Sequence, residues 1–128
     1  MQQYLLDTHT LIWFIGGNKE LSQVARQSIE AIDATNFVSI ASLWEIAIKI
    51  SLGKLELKTP FNQINRQILE NGFEILPITF DDTLTVSALP FHHRDPFDRI
   101  IIVQAITNGL TIISKDEHFS SYDAKVIW

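Results

Sequence analysis

Short apolar runs alternate along the chain with longer stretches in which apolar residues recur every three to four positions. The runs are typical of strands buried in a sheet, and the spaced positions are typical of helices packed on it. Together they predict strands near residues 4–6, 36–40, 73–78, 110–114 and 124–128. Helices are predicted over 8–15, from 22, and over 41–52, 60–70, 79–88 and 96–108, with a short helical turn before the last strand. Strands that alternate with helices predict an α/β fold, a three-layer sandwich with a central, mostly parallel sheet.

Composition narrows the class of protein. With 128 residues, of which 46% are hydrophobic, the chain is expected to form a single domain over residues 1–128. It has no cysteine, which excludes disulfides, thiolate metal sites and cysteine nucleophiles. No apolar run approaches the roughly 20 residues that span a bilayer, and the N-terminus lacks a positively charged leader. A cytoplasmic protein without membrane contact is expected.

The formal net charge of -5 argues against the broad basic surface of a high-affinity nucleic-acid module. It does not exclude a nuclease, because carboxylates gathered around a metal ion would account for much of the excess and the cation would reverse the local field. The net charge alone therefore neither supports nor excludes a function on nucleic acids.

Four acids fall at one predicted edge of the sheet, namely Asp7, Glu45, Asp98 and Asp116. Asp7 and Asp116 follow predicted strands, and the other two lie near the starts of helices that follow strands or loops. Ligands of open α/β sheets bind beyond the carboxyl ends of the strands. The sequence therefore predicts that these carboxylates lie together.

Each acid also has an ordinary structural explanation. Asp7 could cap the first helix, and Asp116 could be a surface turn residue. Glu45 could complete a capping box with Ser42, or pair with a lysine four residues later. An acid at position 98 complements the helix dipole.

Asp95 is an alternative to Asp98 in the same segment, although Asp95-Pro96 already reads as a helix cap followed by the first helical residue. If the four carboxylates do meet, their mutual repulsion would be costly without a cation. Mg²⁺ and Mn²⁺ prefer carboxylate and water oxygens, so either is the expected cofactor.

Four segments in order, residues 5–9, 42–46, 93–99 and 114–116, resemble the PIN domain, and most closely the VapC-type toxins of bacterial type II toxin–antitoxin systems. The likeness extends over essentially the whole chain with similar spacing. It implies a PIN-like ribonuclease domain, a Mg²⁺- or Mn²⁺-dependent endoribonuclease whose products carry a 5′-phosphate and a 3′-hydroxyl.

The resemblance also implies roles for individual residues. The catalytic and metal-binding acids would be Asp7, Glu45, Asp98 and Asp116. Asp7 and Asp98 would be the main metal ligands, and Glu45 or Asp116 would orient the attacking water. Supporting hydroxyls would come from Thr8 and from Ser114, which stands where many relatives have threonine.

Basic residues near these segments are candidate phosphate contacts, namely Lys49, Arg94 and Arg99, and His92 or His93 could assist. A solvated polar loop is the alternative for each of them. His9 is expected to pack or cap near the first helix rather than to catalyse.

The resemblance implies an RNA substrate, a homodimer, and a cognate antitoxin whose C-terminal segment lies across the active-site groove. Exposed aromatic residues mark partner surfaces, so the groove could include Trp13, Phe14, Trp44 and Ile48. The same residues could equally belong to the core.

Two other functions compete with the nuclease. One is a different Mg²⁺-dependent phosphoryl-transfer enzyme, although the chain lacks the second aspartate that a haloacid-dehalogenase-like enzyme carries just after the first. The other is a non-catalytic PIN-like module that binds RNA or protein, which would have no need of four acids. No Gly-rich phosphate loop or Gly-x-Ser-x-Gly elbow is present.

Overall fold

A computed structural model describes residues 2–128 of the chain. Its strands are β1 (Gln2–Leu6), β2 (Ala34–Ser39), β3 (Glu74–Leu76), β4 (Thr111–Ile113) and β5 (Val126–Ile127). Its helices are α1 (Thr8–Gly16), α2 (Gln23–Glu30), α3 (Ile40–Ser51), α4 (Phe61–Glu70), α5 (Phe80–Ser87) and α6 (Pro96–Asn108), and a short 3-10 helix spans Glu117–Ser121. Every predicted element is present, although the third, fourth and fifth strands are shorter than predicted. Across residues 2–128, no helix has both the length and the apolar character needed to cross a bilayer.

The five strands form one sheet in the order β3-β2-β1-β4-β5. All four neighbouring pairs are parallel, which confirms the predicted α/β fold with a central parallel sheet. β1 lies in the middle of the sheet. The chain adds β2 and β3 on one side of β1 and then crosses to add β4 and β5 on the other.

The middle strand is buried because helices cover both faces of the sheet. Side chains of successive strand residues point to opposite faces, so Leu5 and Leu6 belong to different parts of the core. Leu6 packs in a cluster with Leu11 of α1 and Ile46 of α3. Leu5 packs in a second cluster with residues of α6 and with Phe119 of the 3-10 helix. One cluster lies on each face of the sheet, between the sheet and the helices that cover it, so the molecule has the three layers of the predicted sandwich.

Local signals fix where α6 begins and ends. The Asp95 side chain accepts hydrogen bonds from the backbone N–H groups of Phe97 and Asp98, and Pro96 occupies the first turn. Gly109 ends the helix with a φ of 66°, a left-handed conformation that glycine adopts at little cost. The predicted cap at Asp95 is confirmed, and it places Asp98 in the first turn of α6.

The start of α3 differs from one predicted alternative. Ser39 is the N-cap, and its hydroxyl accepts from the backbone N–H of Ala41. Ser42 therefore lies inside the helix, so the capping box between Ser42 and Glu45 is wrong. Glu45 is buried on α3, and its side chain takes no part in a helix cap.

Candidate active site

The carboxyl ends of β1 and β4 meet at the point where the strand order reverses. The segments that follow these two neighbouring strands leave in different directions, and such a switch point is where open α/β sheets bind ligands. A cavity of about 240 Å³ lies there. Its wall includes five carboxylates, those of Asp7, Glu45, Asp95, Asp98 and Asp116. The structure therefore brings the four predicted acids together and adds Asp95, the alternative to Asp98.

Asp7 follows β1 directly and is 4% exposed. One carboxylate oxygen accepts from the Thr10 backbone N–H at 2.9 Å, which caps α1, and the other accepts from the Ser114 hydroxyl at 2.5 Å. Burial raises the pKa of Asp7 above its usual value, although hydrogen bonds from Ser114 and Thr10 and the nearby His9 oppose that rise. The capping explanation for Asp7 is thus confirmed, and the same carboxylate lines the cavity.

Ser114 joins the two strand ends. Its hydroxyl donates to Asp7 and accepts from the backbone N–H of Asp116 at 3.0 Å. One buried side chain therefore orients the acid after β1 and the turn after β4. This position is the one that a supporting hydroxyl requires.

Glu45 is also held by neighbouring side chains. The Thr8 hydroxyl donates to one of its carboxylate oxygens at 2.6 Å, and the Ser42 hydroxyl lies 3.0 Å from that of Thr8. Lys49, one turn along α3, lies 2.8 Å from the other oxygen. The predicted pairing of Glu45 with Lys49 is confirmed, and Thr8, predicted as a supporting hydroxyl, contacts Glu45.

Asp98 faces the cavity from the first turn of α6. His93 Nε2 lies 2.8 Å from its carboxylate. Burial raises the pKa of Asp98 to about 6, the hydrogen bond with His93 opposes this, and the negative charges of Asp95 and Asp7 raise it further. Like charges thus interact across the cavity, as predicted for carboxylates gathered without a cation.

Asp116 shows the opposite shift. Burial alone would raise its pKa, but hydrogen bonds from the backbone and ring of His118, together with the positive charges of His118 and His93, lower it. Its side chain accepts from the backbone N–H of His118 at 2.9 Å and lies 2.8 Å from the ring Nδ1. Asp116 therefore stays ionised more readily than Asp98.

Two imidazole rings extend the acidic cavity. The rings of His93 and His118 stack with centroids 4.6 Å apart and planes 12° apart. His118 is not among the residues predicted from the sequence, although its place two residues after an acid that follows a strand is a usable signal.

Potential metal-ligand atoms lie within 4.8 Å of one another in two sets of three side chains, one formed by His93, Asp95 and Asp98 and the other by His93, Asp116 and His118. Asp7 and Glu45 belong to neither set among residues 2–128, although both line the same cavity.

Arg99 has a different place from the one predicted. Its guanidinium is buried and donates to four backbone carbonyl oxygens in residues 86–93, at 3.0 to 3.3 Å. It also lies over the Phe91 ring, 4.1 Å from the centroid, and 3.4 Å from the Tyr122 hydroxyl. Because both terminal nitrogens are used by the protein, the expectation that Arg99 contacts a phosphate is corrected: Arg99 holds the loop before α6.

The other basic candidates remain accessible. Lys49 lines the cavity beside Glu45, and Arg94 is exposed on the loop before α6. His92 is exposed and packs against the Tyr122 ring, whereas His9 lies at the cavity with its ring 5.5 Å from that of Trp13. The packing role expected for His9 agrees with this contact.

The aromatic residues proposed for a partner groove divide between core and surface. Trp13 and Phe14 are half-buried and pack against the core, with Trp13 also meeting the edge of Trp128. Trp44 is 61% exposed and contacts Phe97 edge-on. Ile48 is half-buried on α3. A separate groove of about 150 Å³ lies between α1, α3 and residues 56–64.

Comparison with known proteins agrees with this geometry. The sequence profile of the PIN domain matches residues 4–125. The chain is 31% identical over 123 residues to Ribonuclease VapC22 of Mycobacterium tuberculosis (strain ATCC 25618 / H37Rv), an alignment that covers 95% of this chain and 93% of that protein.

Solved structures share the fold along its length. The chain superposes on VapBC2 from Rickettsia felis, bound to a promoter DNA fragment, with a TM-score of 0.73 at 18% identity, covering 98% of each chain. A toxin-antitoxin complex from Klebsiella pneumoniae gives a TM-score of 0.67 at 24% identity, covering 98% of this chain and 96% of the other. Because the profile spans all but a few terminal residues and the fold agrees throughout, the protein belongs to the PIN domain family, as the resemblance predicted.

Proposed function

We propose that the protein is an endoribonuclease that depends on a divalent cation, Mg²⁺ or Mn²⁺, and that it is the toxin of a type II toxin–antitoxin module. The observation that carries the proposal is the cavity at the switch point of the sheet, which is lined by Asp7, Glu45, Asp98 and Asp116. The relative named as a ribonuclease supports the reaction, since its alignment covers nearly all of both chains.

The residues present fit a hard divalent cation. Burial raises the pKa of Asp7 and of Asp98, and the negative charges of Asp95 and Asp7 raise that of Asp98 further. A cation between such groups favours ionisation and removes their repulsion. Carboxylate oxygens are the donors that Mg²⁺ and Mn²⁺ prefer. Asp7 and Asp98 would be the main ligands, with Glu45 and Asp116 completing the site directly or through water.

The chain's own side chains would then organise hydrolysis. A divalent cation bound here supplies charge stabilisation at the scissile phosphate and lowers the pKa of a water molecule. Glu45, oriented by Thr8 and Lys49, or Asp116 accepts the proton of the attacking water. The water oxygen bonds to phosphorus as the bond to the 3′ oxygen breaks, and a proton passes to that oxygen. The products carry a 5′-phosphate and a 3′-hydroxyl.

Two accessible cations are the proposed substrate contacts. Lys49 lines the cavity and Arg94 is exposed on the loop before α6, so both can meet the RNA backbone near the cleaved bond. Arg99 is not among them, because its guanidinium is engaged by backbone carbonyls.

The proposed partners are an antitoxin and a second copy of the chain. Structural neighbours include a VapBC complex and a toxin-antitoxin complex that superpose over nearly the full length. Because the similarity covers the whole domain, this chain is expected to form a complex with an antitoxin as well. Analytical ultracentrifugation of the purified chain tests the homodimer.

The deciding experiment incubates purified protein with a mixed panel of RNAs in Mg²⁺, in Mn²⁺ and in chelator. Cleavage is expected only with metal and is expected to fall at least about a hundredfold in Asp7→Asn, beyond the loss typical of residues that merely orient a ligand. Asp33→Asn is the matched control, because Asp33 is an exposed acid that precedes β2 at the opposite edge of the sheet. Equal cleavage by Asp7→Asn and the parent would overturn the proposal.

Two further arms separate the competing functions. Hydrolysis of a phosphate monoester instead of RNA would indicate another phosphoryl-transfer enzyme. Metal-independent RNA binding without cleavage would indicate a non-catalytic module. Growth arrest on expression of the parent, but not of Asp7→Asn, is the result expected for a toxin with a narrow RNA target.

A further inference from the structure

A second cavity, which we call the side cavity, adjoins the active-site cavity at the start of α1. It measures about 200 Å³ and is lined by Asp7, His9, Trp13, Lys115 and Asp116. We propose that the side cavity binds one base of a single-stranded RNA, from a nucleotide beside the cleaved bond, by stacking on the His9 ring. The inference rests on the proposed ribonuclease function and deepens it, since it assigns a contact to a base where the other proposed contacts are to phosphates.

The position of the side cavity is the first argument. Its walls share Asp7, His9 and Asp116 with the active-site cavity, so the two spaces are neighbours. An RNA strand whose phosphate lies at the carboxylates therefore has a base within reach of the side cavity. Proteins recognise single-stranded RNA largely through unstacked bases that stack on aromatic side chains, histidine included.

The His9 ring provides the second argument, because it is both accessible and supported. His9 lies in the first turn of α1 and is exposed. Its ring lies against that of Trp13, one turn further along α1, with centroids 5.5 Å apart and planes 34° apart. Trp13 in turn contacts the Trp128 ring and packs against the core. These contacts hold the His9 ring before a base arrives, so stacking costs little conformational entropy.

Lys115 provides the third argument, because it brings a positive charge to the side cavity. Its ammonium lies 5.9 Å from the centroid of the Trp13 ring and 2.7 Å from a carboxylate oxygen of Glu20. An ammonium has three N–H donors, so the pair with Glu20 leaves two for the phosphate of the bound nucleotide. Asp7 and Asp116 repel that phosphate, and the charge of Lys115 offsets part of the repulsion.

The test measures binding by fluorescence anisotropy in Ca²⁺. The probes are a fluorescein-labelled oligoadenylate and the same ribose-phosphate chain without bases, each titrated with the full chain. His9→Ala is expected to bind oligoadenylate at least about fivefold more weakly than the parent, the lower end of what stacking of one base contributes. His9→Phe keeps an aromatic ring and should retain the affinity of the parent. On the chain without bases, the parent and both variants should bind alike.

His92→Ala is the matched control, because His92 is also an exposed histidine but lines neither cavity. It is expected to keep the parent's preference for oligoadenylate over the chain without bases. The inference is overturned if His9→Ala binds oligoadenylate as the parent does, or if it loses as much affinity for the chain without bases.

A second measurement needs no substitution. In the parent protein with labelled histidine, added oligoadenylate is expected to shift the ring-proton resonances of His9 upfield, the direction that the ring current of a stacked base produces. Those of His92 should stay in place. Resonances of His9 that do not move while oligoadenylate binds would contradict stacking on this ring.

These results separate the base subsite from the catalytic proposal. Base-dependent binding through His9 without metal-dependent cleavage of any RNA would support the subsite and contradict the nuclease. Metal-dependent cleavage that Asp7→Asn abolishes, with equal oligoadenylate affinity in His9→Ala and the parent, would support the nuclease and contradict the subsite.

Discussion

The two walls of the active-site cavity are built in different ways. The inner wall consists of Asp7, Thr8, Glu45 and Ser114, which are buried and belong to strand ends and to the first turns or interior of helices. The outer wall consists of His93, Asp98, Asp116 and His118, whose side chains are between 18% and 61% exposed. Sheet pairing fixes the inner wall. The outer wall depends on a loop and a 3-10 turn, so its geometry rests on a few side-chain hydrogen bonds.

This comparison indicates how the site divides its tasks. The inner wall holds Asp7 where its carboxylate is costly to ionise, as its raised pKa shows. The outer wall combines acids with imidazoles and contains one acid with a raised pKa and one with a lowered pKa. We expect a cation to need both walls, Asp7 from the inner wall and Asp98 from the outer wall, and the outer wall to be the more easily disturbed by substitution.

The largest effect is expected from Arg99→Met, which removes the support of the outer wall. Four carbonyl oxygens would lose their buried donor, so the free energy of unfolding in urea should fall by about 3 kcal/mol. Metal-dependent cleavage should fall with it, because His93 is released. Arg94→Met is the control for the urea measurement, since Arg94 is exposed. Equal unfolding midpoints for Arg99→Met and the parent would show that the guanidinium does not hold the loop.

The next effect is a gain in stability from Asp98→Asn in chelator. The pKa of Asp98 is about 6 in the folded protein and about 4 in the unfolded chain, so the folded state binds the proton more tightly. Stability should therefore fall as pH rises from roughly 4 to 6 and stay lower above it. Asparagine is neutral and avoids this loss. The variant should therefore unfold with a free energy about 2 kcal/mol higher than the parent at neutral pH, a figure reduced for the weaker hydrogen bond between residue 98 and His93.

Urea denaturation at about pH 5 and about pH 7.5 in chelator measures this difference. The parent should lose more stability between the two values than Asp98→Asn, which keeps only the loss due to the raised pKa of Asp7. The pKa of Asp116 is lowered, so its effect on stability is opposite and appears only as pH falls through that lowered pKa. Measurements above about pH 5 therefore report on Asp98 and not on Asp116. A less stable Asp98→Asn would instead show that Asp98 maintains the start of α6.

A smaller effect is expected within the inner wall from Ser114→Ala. Losing the hydroxyl between Asp7 and Asp116 should lower the rate of metal-dependent cleavage about tenfold, as for other partners of metal ligands. Ser114→Thr keeps the hydroxyl and should retain most of the activity. If serine, threonine and alanine give the same rate, the hydroxyl has no part in positioning Asp7.

The smallest effect is expected from the two accessible basic residues, Lys49 and Arg94. Lys49→Gln and Arg94→Gln should each weaken RNA binding only a few-fold and reduce the slope of log affinity against log salt by about one. Lys49 is partly neutralised by Glu45, so Arg94→Gln should show the larger change in slope. An unchanged slope in both variants, measured by fluorescence anisotropy in Ca²⁺, would place the RNA elsewhere.

Much of the fold was predictable because its signals are local. Apolar runs marked the five strands, and Asp95-Pro96 with Gly109 marked both ends of α6. Strand ends were less accurate, since pairing partners decide where a strand stops. At the start of α3 the capping-box pattern favoured Ser42, whereas the N-cap is Ser39, where β2 ends.

The gathering of the acids was also predictable, because parallel strands bring their carboxyl ends to one edge. The contacts around the acids were not. Arg99 reads as an accessible cation in sequence, yet tertiary packing surrounds it with carbonyl oxygens from residues 86–93. His118 was missed because its relation to His93 joins segments 25 residues apart in the chain.

By itself, then, the sequence determined the order of strands and helices along the chain, the caps of α1 and α6, and the set of acids at one edge of a parallel sheet. These follow from local periodicity and from the direction of each strand, which neighbouring residues encode. The tertiary structure alone decided which side chains contact each acid, how burial and charge shift the pKa of Asp7, Asp98 and Asp116 in different directions, and whether a basic residue faces solvent or holds a loop. Those properties depend on distances between segments far apart in the chain.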